Sequence, residues 1–512
     1  MGAVLLESAD PATPAIRRAG QGTRAGVRSV VTPSAALQLT CRGRTVTVEA
    51  LCEAAAPLLP PLLDALRDRA TSSLDAFTLR SSFAARDASL SDRERLLAPS
   101  PMDVPRALLR LLRQGFGDSG SSTMLVGTFS YDLLGSYETL PEASAEPSDW
   151  PDFELWLPDR ITWVDHVRRS TRVVALAFTA SQHEAAVAAA TQLARDVEHV
   201  AQARRAGATA GGDLGSTRHV ATNDDVQVDL DDDAFAEIVS TLQGHIRAGD
   251  IFQAVPSRTF STPCVDALAA YRRLRDLNPS PYQFYVEGQR GTLFGASPET
   301  AVEVSGEPLA LYVRPLAGTR ARGLQPDGTL DADLDGRIEV ELRLDAKELA
   351  EHMMLVDLAR NDVARVSRSG TRRVSRLLEV VRYSHVMHLE SEVVGALDDA
   401  LDALHAYVAT MNMGTLTGAP KLKAAELLRH YEVQRRGVYG GAVGYVRADG
   451  VMDTAIVIRS ALVHEGRAYV RAGAGVVDYS DPLSEADESR RKAQAVLDAI
   501  KTAGTTIGSS DR

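Results

Sequence analysis

Only three cysteines, Cys41, Cys52 and Cys264, occur in 512 residues. That excludes a disulfide scaffold, and without C-x-x-C spacing a cysteine zinc site is not expected either. Basic residues are outnumbered, 56 Lys and Arg against 68 Asp and Glu, for a formal charge of −12. Such a chain lacks the positive face that nucleic acid or an anionic membrane surface requires, so neither is an expected partner. No stretch nears the ~18 apolar residues of a membrane span. The opening MGAVLLESADPATPAIRR has neither a basic start nor a long apolar segment, so it does not read as a secretory signal. A reducing compartment, the cytoplasm, is the expected location. Repeats of fixed period are missing as well.

What is present is an ordinary globular composition, 45% hydrophobic and 24% charged. The length suggests about two to four domains. Short β-like runs, 27–32 and 45–48, precede a helical period over 101–116. A strand within 124–138 ends in a Gly and aromatic turn, 160–178 reads as a hairpin, and 182–206 is Ala-rich and helical. The segment AGATAGGDLGST (206–217) is glycine-rich. It divides an N-terminal region, 1–205, from 231–505, with 206–230 as linker or long loop. Beyond it, acidic residues open a helix that ends near Gly249, and a strand is expected from Ile251. Further helices are expected over 337–359, 399–411 and 484–501, with strands over 310–314, 440–447, 454–463 and 468–477. The order is not a regular βαβ alternation, which favours α+β with antiparallel sheets.

Several clusters could carry chemistry. Glu348 and Glu351 are three apart, as are Glu485 and Glu488, so each pair shares a helix face. Two such pairs could offer an all-oxygen site to a hard cation, Mg²⁺ before zinc. A solvated acidic face is the commoner meaning of E-x-x-E, and spacing alone leaves both readings open. AGAGVVDYSDP (472–482) puts Gly473 and Gly475 in a bend before a helix, where backbone N–H groups can converge on an anion. GTLTGAPK (414–421) is not a phosphate loop, because three residues rather than four separate its glycines and Lys421 follows Pro420. Arg459 is the one charge in Thr454 to Val463; on an alternating strand it shares a face with Val457 and Ala455. It needs a carboxylate there, from the protein or from a ligand. His385 and His388 are weak as a zinc pair; either an acid–base histidine or a hydrogen-bonded core histidine fits. Together these clusters describe a small carboxylated polyanion held with Mg²⁺.

Longer stretches are more specific. IFQAVPSR (251–258), NPSPY (278–282), GASPE (295–299), PLAGTRARG (315–323), KELAEHMMLVDLARND (347–362), RYSHVMHL (382–389), MNMGTLTGAPK (411–421), YGGAVGY (439–445), IVIRSAL (456–462), AGAGVV (472–477) and SEADE (484–488) follow one another. In that order they resemble the chorismate-utilising enzymes, and within them the large subunit of anthranilate synthase. LLESAD (5–10), GTFSYD (127–132) and PDFELWL (151–157) extend the resemblance toward the N-terminus.

The resemblance implies the family's fold, large antiparallel sheets packed as a sandwich with helices outside. It implies conversion of chorismate and ammonia to anthranilate and pyruvate with Mg²⁺. By position, Glu351 and Glu488 would be the metal ligands, with Glu348 and Glu485 behind them. Arg459, Tyr439 and the Gly473–Ala474–Gly475 backbone would hold one carboxylate, and Gly318 and Thr319 would line the ring. His388, Glu299 and Thr415 would sit at the reacting carbons, with His388 as general acid for the departing hydroxide. Relatives that add water carry Lys where this chain has Gln253, and aminodeoxychorismate synthases carry Lys where it has Ala317. Both positions favour ammonia as nucleophile and anthranilate as product. An aminodeoxyisochorismate synthase of secondary metabolism and a non-catalytic paralogue are the alternatives.

No cysteine lies in a G-x-C-x-G elbow, so ammonia is expected from a separate glutamine amidotransferase subunit. The resemblance implies a hetero-oligomer of two large and two small subunits. Inhibition by L-tryptophan is implied at Glu7, Ser8, Pro281, Tyr282 and Gln283, where Gln283 replaces the family's Met. Only four residues precede the LLES stretch, and a bare sheet edge or a misplaced start is the expectation there.

Overall fold

The computed structural model describes residues 2–7, 28–85, 87, 89–117, 122–141, 150–205, 225–383, 386–432 and 434–503. Their strands form two large sheets in which every pairing is antiparallel. One has ten strands and runs from the 160–175 hairpin through 28–32, 4–7, 282–288, 291–297, 460–464 and 467–473 to 257–263 and 227–228. The other has thirteen and carries, among others, 35–42, 124–129, 153–158, 300–305, 316–321, 386–396, 442–447 and 452–456.

The sheets share an apolar interior. Val4, Val30, Phe284 and Leu293 of the first meet Val126, Trp156, Val443 and Tyr445 of the second. Helices Ala267–Leu277 and Pro482–Thr502 press Tyr271, Leu274, Val496 and Ile500 onto Phe260, Phe294 and Val470, on the first sheet. Helices Asp103–Phe116 and Ala403–Thr410 cover the second. Burying a side chain of this size contributes about 1.5–3 kcal/mol. The α+β class, with antiparallel sheets and helices packed on them, is as expected.

Local chemistry explains the helix ends. Asp231 accepts from Ala234 N at 2.8 Å to start helix Asp232–Ala248, and Gly249, at φ 83°, ends it. Three expectations need correction. The segment 337–359 is two helices, Ala332–Leu344 and Ala346–Ala364, because Asp345 accepts from the N–H groups of Lys347 and Glu348 and begins the second. The run 454–463 is two strands, Met452–Ile456 and Ser460–His464, in different sheets. The chain crosses between them at Arg459, whose φ of 50° lies outside any strand. The strand expected from Ile251 is broken into Gln253–Ala254, paired with Gly418–Ala419, and Ser257–Pro263 in the ten-stranded sheet.

Regions 1–205 and 231–505 contribute strands to both sheets: Glu7 lies opposite Gln283, and Phe129 opposite Ala442. Of the linker, 206–224 falls outside the described residues, while Gln227–Val228 close the ten-stranded sheet against Phe260 and Ser261. Among the described residues, no helix is long and apolar enough to cross a membrane.

Candidate active site

A cavity of about 700 Å³ is lined by His388, Glu299, Thr415, Gly318, Thr319, Tyr439, Arg459, Gly473, Gly475 and all four glutamates, 348, 351, 485 and 488. Gln253 and Ala317 line it too. These residues come from more than 230 positions of sequence, gathered by strand ends and two helix starts.

The glutamates stand on the two helices capped by Asp345 and Asp481. Each meets a different neighbour. Glu348 Oε1 is 2.9 Å from Arg320 Nη1, Glu351 Oε1 accepts from Gln253 Nε2 at 2.9 Å, and Glu488 Oε1 is 2.7 Å from Lys492 Nζ. Burial raises the Glu351 carboxyl above its ordinary range and the charge of Glu348 adds to it; burial and then Glu488 do the same to Glu485. Burial would raise Glu488 as well, but Lys492 outweighs it and holds that group low. Among the described residues, no three His, Cys, Asp or Glu side chains are gathered closely enough to hold a metal ion. The glutamates share a wall, with Arg320 and Lys492 neutralising one member of each pair.

The acid–base groups are also buried. Thr415 Oγ1 donates to Glu299 Oε1 at 2.9 Å, and burial pushes the Glu299 carboxyl up to about 8. His388 Nδ1 lies 3.2 Å from the Gly318 carbonyl oxygen and 3.0 Å from Thr319 Oγ1. A carbonyl only accepts, so Nδ1 carries the hydrogen and Nε2 is bare. Burial holds the His388 imidazole down at about 4, so the ring is neutral at pH 7.

The carboxylate-binding set is partly corrected. Arg459 reaches the cavity from its crossover and donates to the Lys492 carbonyl at 3.3 Å. Ala474 does not line the cavity; it is fully buried, and its N–H is already given to Pro256 O at 3.2 Å. Gly475 brings the backbone close to Gln253, whose Nε2 would lie 3.1 Å from a Cβ there. Lys492 and Arg320 were missed. The i,i+4 spacing of Glu488 and Lys492 was a visible signal, whereas Arg320 gave none.

At the expected tryptophan residues, Glu7 and Gln283 are cross-strand neighbours. Glu7 accepts from Tyr271 Oη at 2.6 Å and pairs with Arg275 at 3.1 Å. Gln283 is buried and gives its Nε2 to Asn278 O at 3.0 Å. Tyr282 bonds instead to Thr300 and Asp453 of the other sheet, both at 3.0 Å. Pro281 is buried, and Ser8 and His385 lie outside the described residues.

The family model of chorismate binding enzymes matches residues 78–498. The chain belongs to that family. It is 47% identical over 494 residues to the "Anthranilate synthase component 1, pyocyanine specific" of Pseudomonas aeruginosa, covering 96% of this chain and 90% of that one. It is 46% identical to anthranilate synthase component 1 of Vibrio parahaemolyticus, covering 94% and 86%. The crystal structure of anthranilate synthase component I from Streptococcus pneumoniae superposes with a TM-score of 0.69 at 25% identity, over 94% of each chain. The resemblance read from the motifs is borne out, and this chorismate-binding family member is an enzyme.

Proposed function

We propose that this enzyme is the large subunit of an anthranilate synthase, joining ammonia to chorismate and releasing pyruvate, as the first step of tryptophan biosynthesis. One observation carries the choice of nucleophile. Gln253 gives its Nε2 to Glu351, and its buried Oε1 has no partner among the described residues. An orphaned amide acceptor can hold a hydrogen of the incoming nucleophile but cannot take a proton from it. Ammonia needs no base to attack, whereas water does.

The protonation states support a division of labour. Glu299, protonated below about pH 8, donates to the leaving hydroxide, which departs as water. The proton shed by the newly attached ammonium restores it. His388, neutral with a bare Nε2, accepts the ring proton and passes it to the methylene carbon of the departing enolpyruvyl group. Aromatisation drives that loss. The general-acid role expected of His388 thus passes to Glu299. Arg459, Lys492 and Tyr439 offer donors to the side-chain carboxylate, and Gly318 and Thr319 flank the ring.

What supports a hard divalent cation is the chemistry of the donors, carboxylate oxygens from two helices on one wall, two of them raised by burial and a like-charged neighbour; their side chains would have to close in on the ion, since among the described residues no three converge. Glu351 and Glu488 would hold Mg²⁺, with Glu348 and Glu485 behind them. When bound, Mg²⁺ would neutralise the ring carboxylate and draw electron density from the conjugated system.

Ammonia would come from a glutamine amidotransferase subunit in a hetero-oligomer, since none of the three cysteines lies in a G-x-C-x-G elbow. L-Tryptophan would act at Glu7 and Gln283, where the buried Gln283 Oε1 lacks a partner among the described residues. The pyocyanine-specific name of one relative favours a second reading of the pathway, supply of a secondary metabolite.

The test mixes the chain with chorismate, Mg²⁺ and ammonium and follows anthranilate fluorescence and pyruvate. Both should appear, and glutamine should not replace ammonium without a partner. Accumulation of isochorismate or aminodeoxychorismate overturns the proposal; amination without pyruvate makes the chain an aminodeoxyisochorismate synthase.

A further inference from the structure

A second cavity, of about 260 Å³, lies at the edge of the ten-stranded sheet, walled by Arg28, Trp163, Asp165, Arg168, Arg172 and Arg447. None of these lines the active-site cavity. Both sheets build it: Arg28, Trp163, Asp165 and Arg172 come from three neighbouring strands of the first, and Arg447 ends strand Ala442–Arg447 of the second.

Its charge is unbalanced. Asp165 is the one carboxylate in the wall, and its Oδ1 already accepts from Val167 N at 3.0 Å and Arg168 N at 2.8 Å in the hairpin turn. Arg447 pairs with Asp449 through Nη2. Arg168 also lies 4.0 Å from Asp165 Oδ2, and Arg28 acts on the buried Asp453, so four guanidinium groups stand near three carboxylates and Arg172 adds an unpaired positive charge among the described residues, in a protein whose net charge is −12. Hydrogen bonding is unbalanced in the same place. Trp163 is only 8% exposed, yet its Nε1 has no partner among the described residues, and neither has the buried Nε of Arg447. Buried donors without acceptors are costly, and a cluster of them beside unspent positive charge calls for an anion.

We infer that this cavity binds a small doubly charged oxyanion, either a phosphate group or a compact dicarboxylate. Its oxygens would accept from Trp163 Nε1 and Arg447 Nε and from the guanidinium forks of Arg28 and Arg172. The orphaned indole and guanidinium donors and the charge surplus point to the same chemistry, and none of them depends on the reaction proposed above. An anion here would also tie the 160–175 hairpin to the strand ending in Arg447.

Isothermal titration of the full chain, in low-chloride buffer without Mg²⁺, tests this with inorganic phosphate and separately with succinate. Saturable one-to-one binding of at least one is expected, and which of the two binds identifies the source. The Arg172→Ser/Arg447→Gln variant should bind it at least about tenfold more weakly, while Arg459→Ala, in the other cavity, should bind unchanged. If the double variant unfolds at a lower temperature without anion, Arg172→Ser alone carries the test, because that side chain is exposed. No saturable binding of either anion, equal affinity in the Arg172 variant, or loss in Arg459→Ala overturns the inference.

Discussion

The Lys492 ammonium sits 2.7 Å from Glu488 Oε1 and 3.2 Å from the Gly473 carbonyl oxygen, one helical turn past the carboxylate it neutralises. The lysine therefore occupies, with its own charge, a carboxylate proposed to hold Mg²⁺. A divalent ion on Glu488 would compete with it, and the freed ammonium would stay in the cavity that Arg459 also lines. Lys492→Met removes the competitor. Without chorismate it should bind Mn²⁺ about fivefold more tightly, read by electron paramagnetic resonance, since a half-exposed pair of this kind is worth up to about 1 kcal/mol. The chorismate KM should rise in the same variant. Unchanged Mn²⁺ affinity would show that lysine and metal do not compete.

Glu299 sets a pH limit. With its carboxyl at about 8, kcat/KM should fall as pH rises through that value and the proton is lost. Glu299→Gln should abolish this limb and lower kcat by about 10²–10⁴. Thr415→Val removes a hydrogen bond that favours the charged form, so the limb should move to higher pH. The stability signs differ for the two buried groups. Glu299 is raised from 4.5 to about 8, so its contribution is complete below 4.5 and is lost as pH rises toward 8. His388 is lowered from 6.5 to about 4, so its contribution is lost as pH falls through that window. Rate profiles and denaturant midpoints across pH 4 to 9 would check both.

Gln253→Lys replaces an amide bonded to Glu351 with an ammonium at the same place. The acceptor proposed to orient ammonia disappears, and an amine takes its position that, once it has lost its proton, can accept one from water. Ammonia-dependent anthranilate formation should fall by at least about tenfold, with isochorismate as the new product. Chromatography of the products with and without ammonium measures the switch. Retained anthranilate with no water adduct would remove Gln253 from the choice of nucleophile.

Much of the site could be read in advance because its residues sit in dense local motifs. The E-x-x-E pairs and the Gly473 bend are statements about one helix turn or one strand end, and sequence spacing expresses those directly. What spacing does not express is where a chain changes sheet. Thr454 to Val463 has the composition of one strand, yet Arg459 turns it between two sheets, which only long-range packing decides. Asp345 shows the reverse: it cuts an apparently continuous helix, and an N-cap followed by a glutamate three residues on was legible in RLDAKE. Ala474 failed for a third reason. Whether its N–H is free depends on Pro256, more than 200 residues away.

Arg314 joins two buried carboxylates, with Nη1 2.6 Å from Glu303 Oε2 and Nε 2.8 Å from Glu392 Oε2. Glu392 has further support from Arg376 at 2.9 Å and from Ser375, whereas Glu303 is fully buried beside its cross-strand partner Asp453. Burial, and then Glu303, already push Asp453 up to about 7. Arg314→Met should therefore cost about 3–5 kcal/mol of stability at neutral pH by stranding buried charge. The penalty should shrink as the solution becomes more acidic, because Asp453, already raised to about 7, takes up a proton and no longer repels its neighbour: a raised folded-state pKa favours the protonated fold. Urea unfolding of the variant at pH 5.5 and pH 8 measures the difference. A loss equal at both values would mean that Asp453 takes up no proton in the variant.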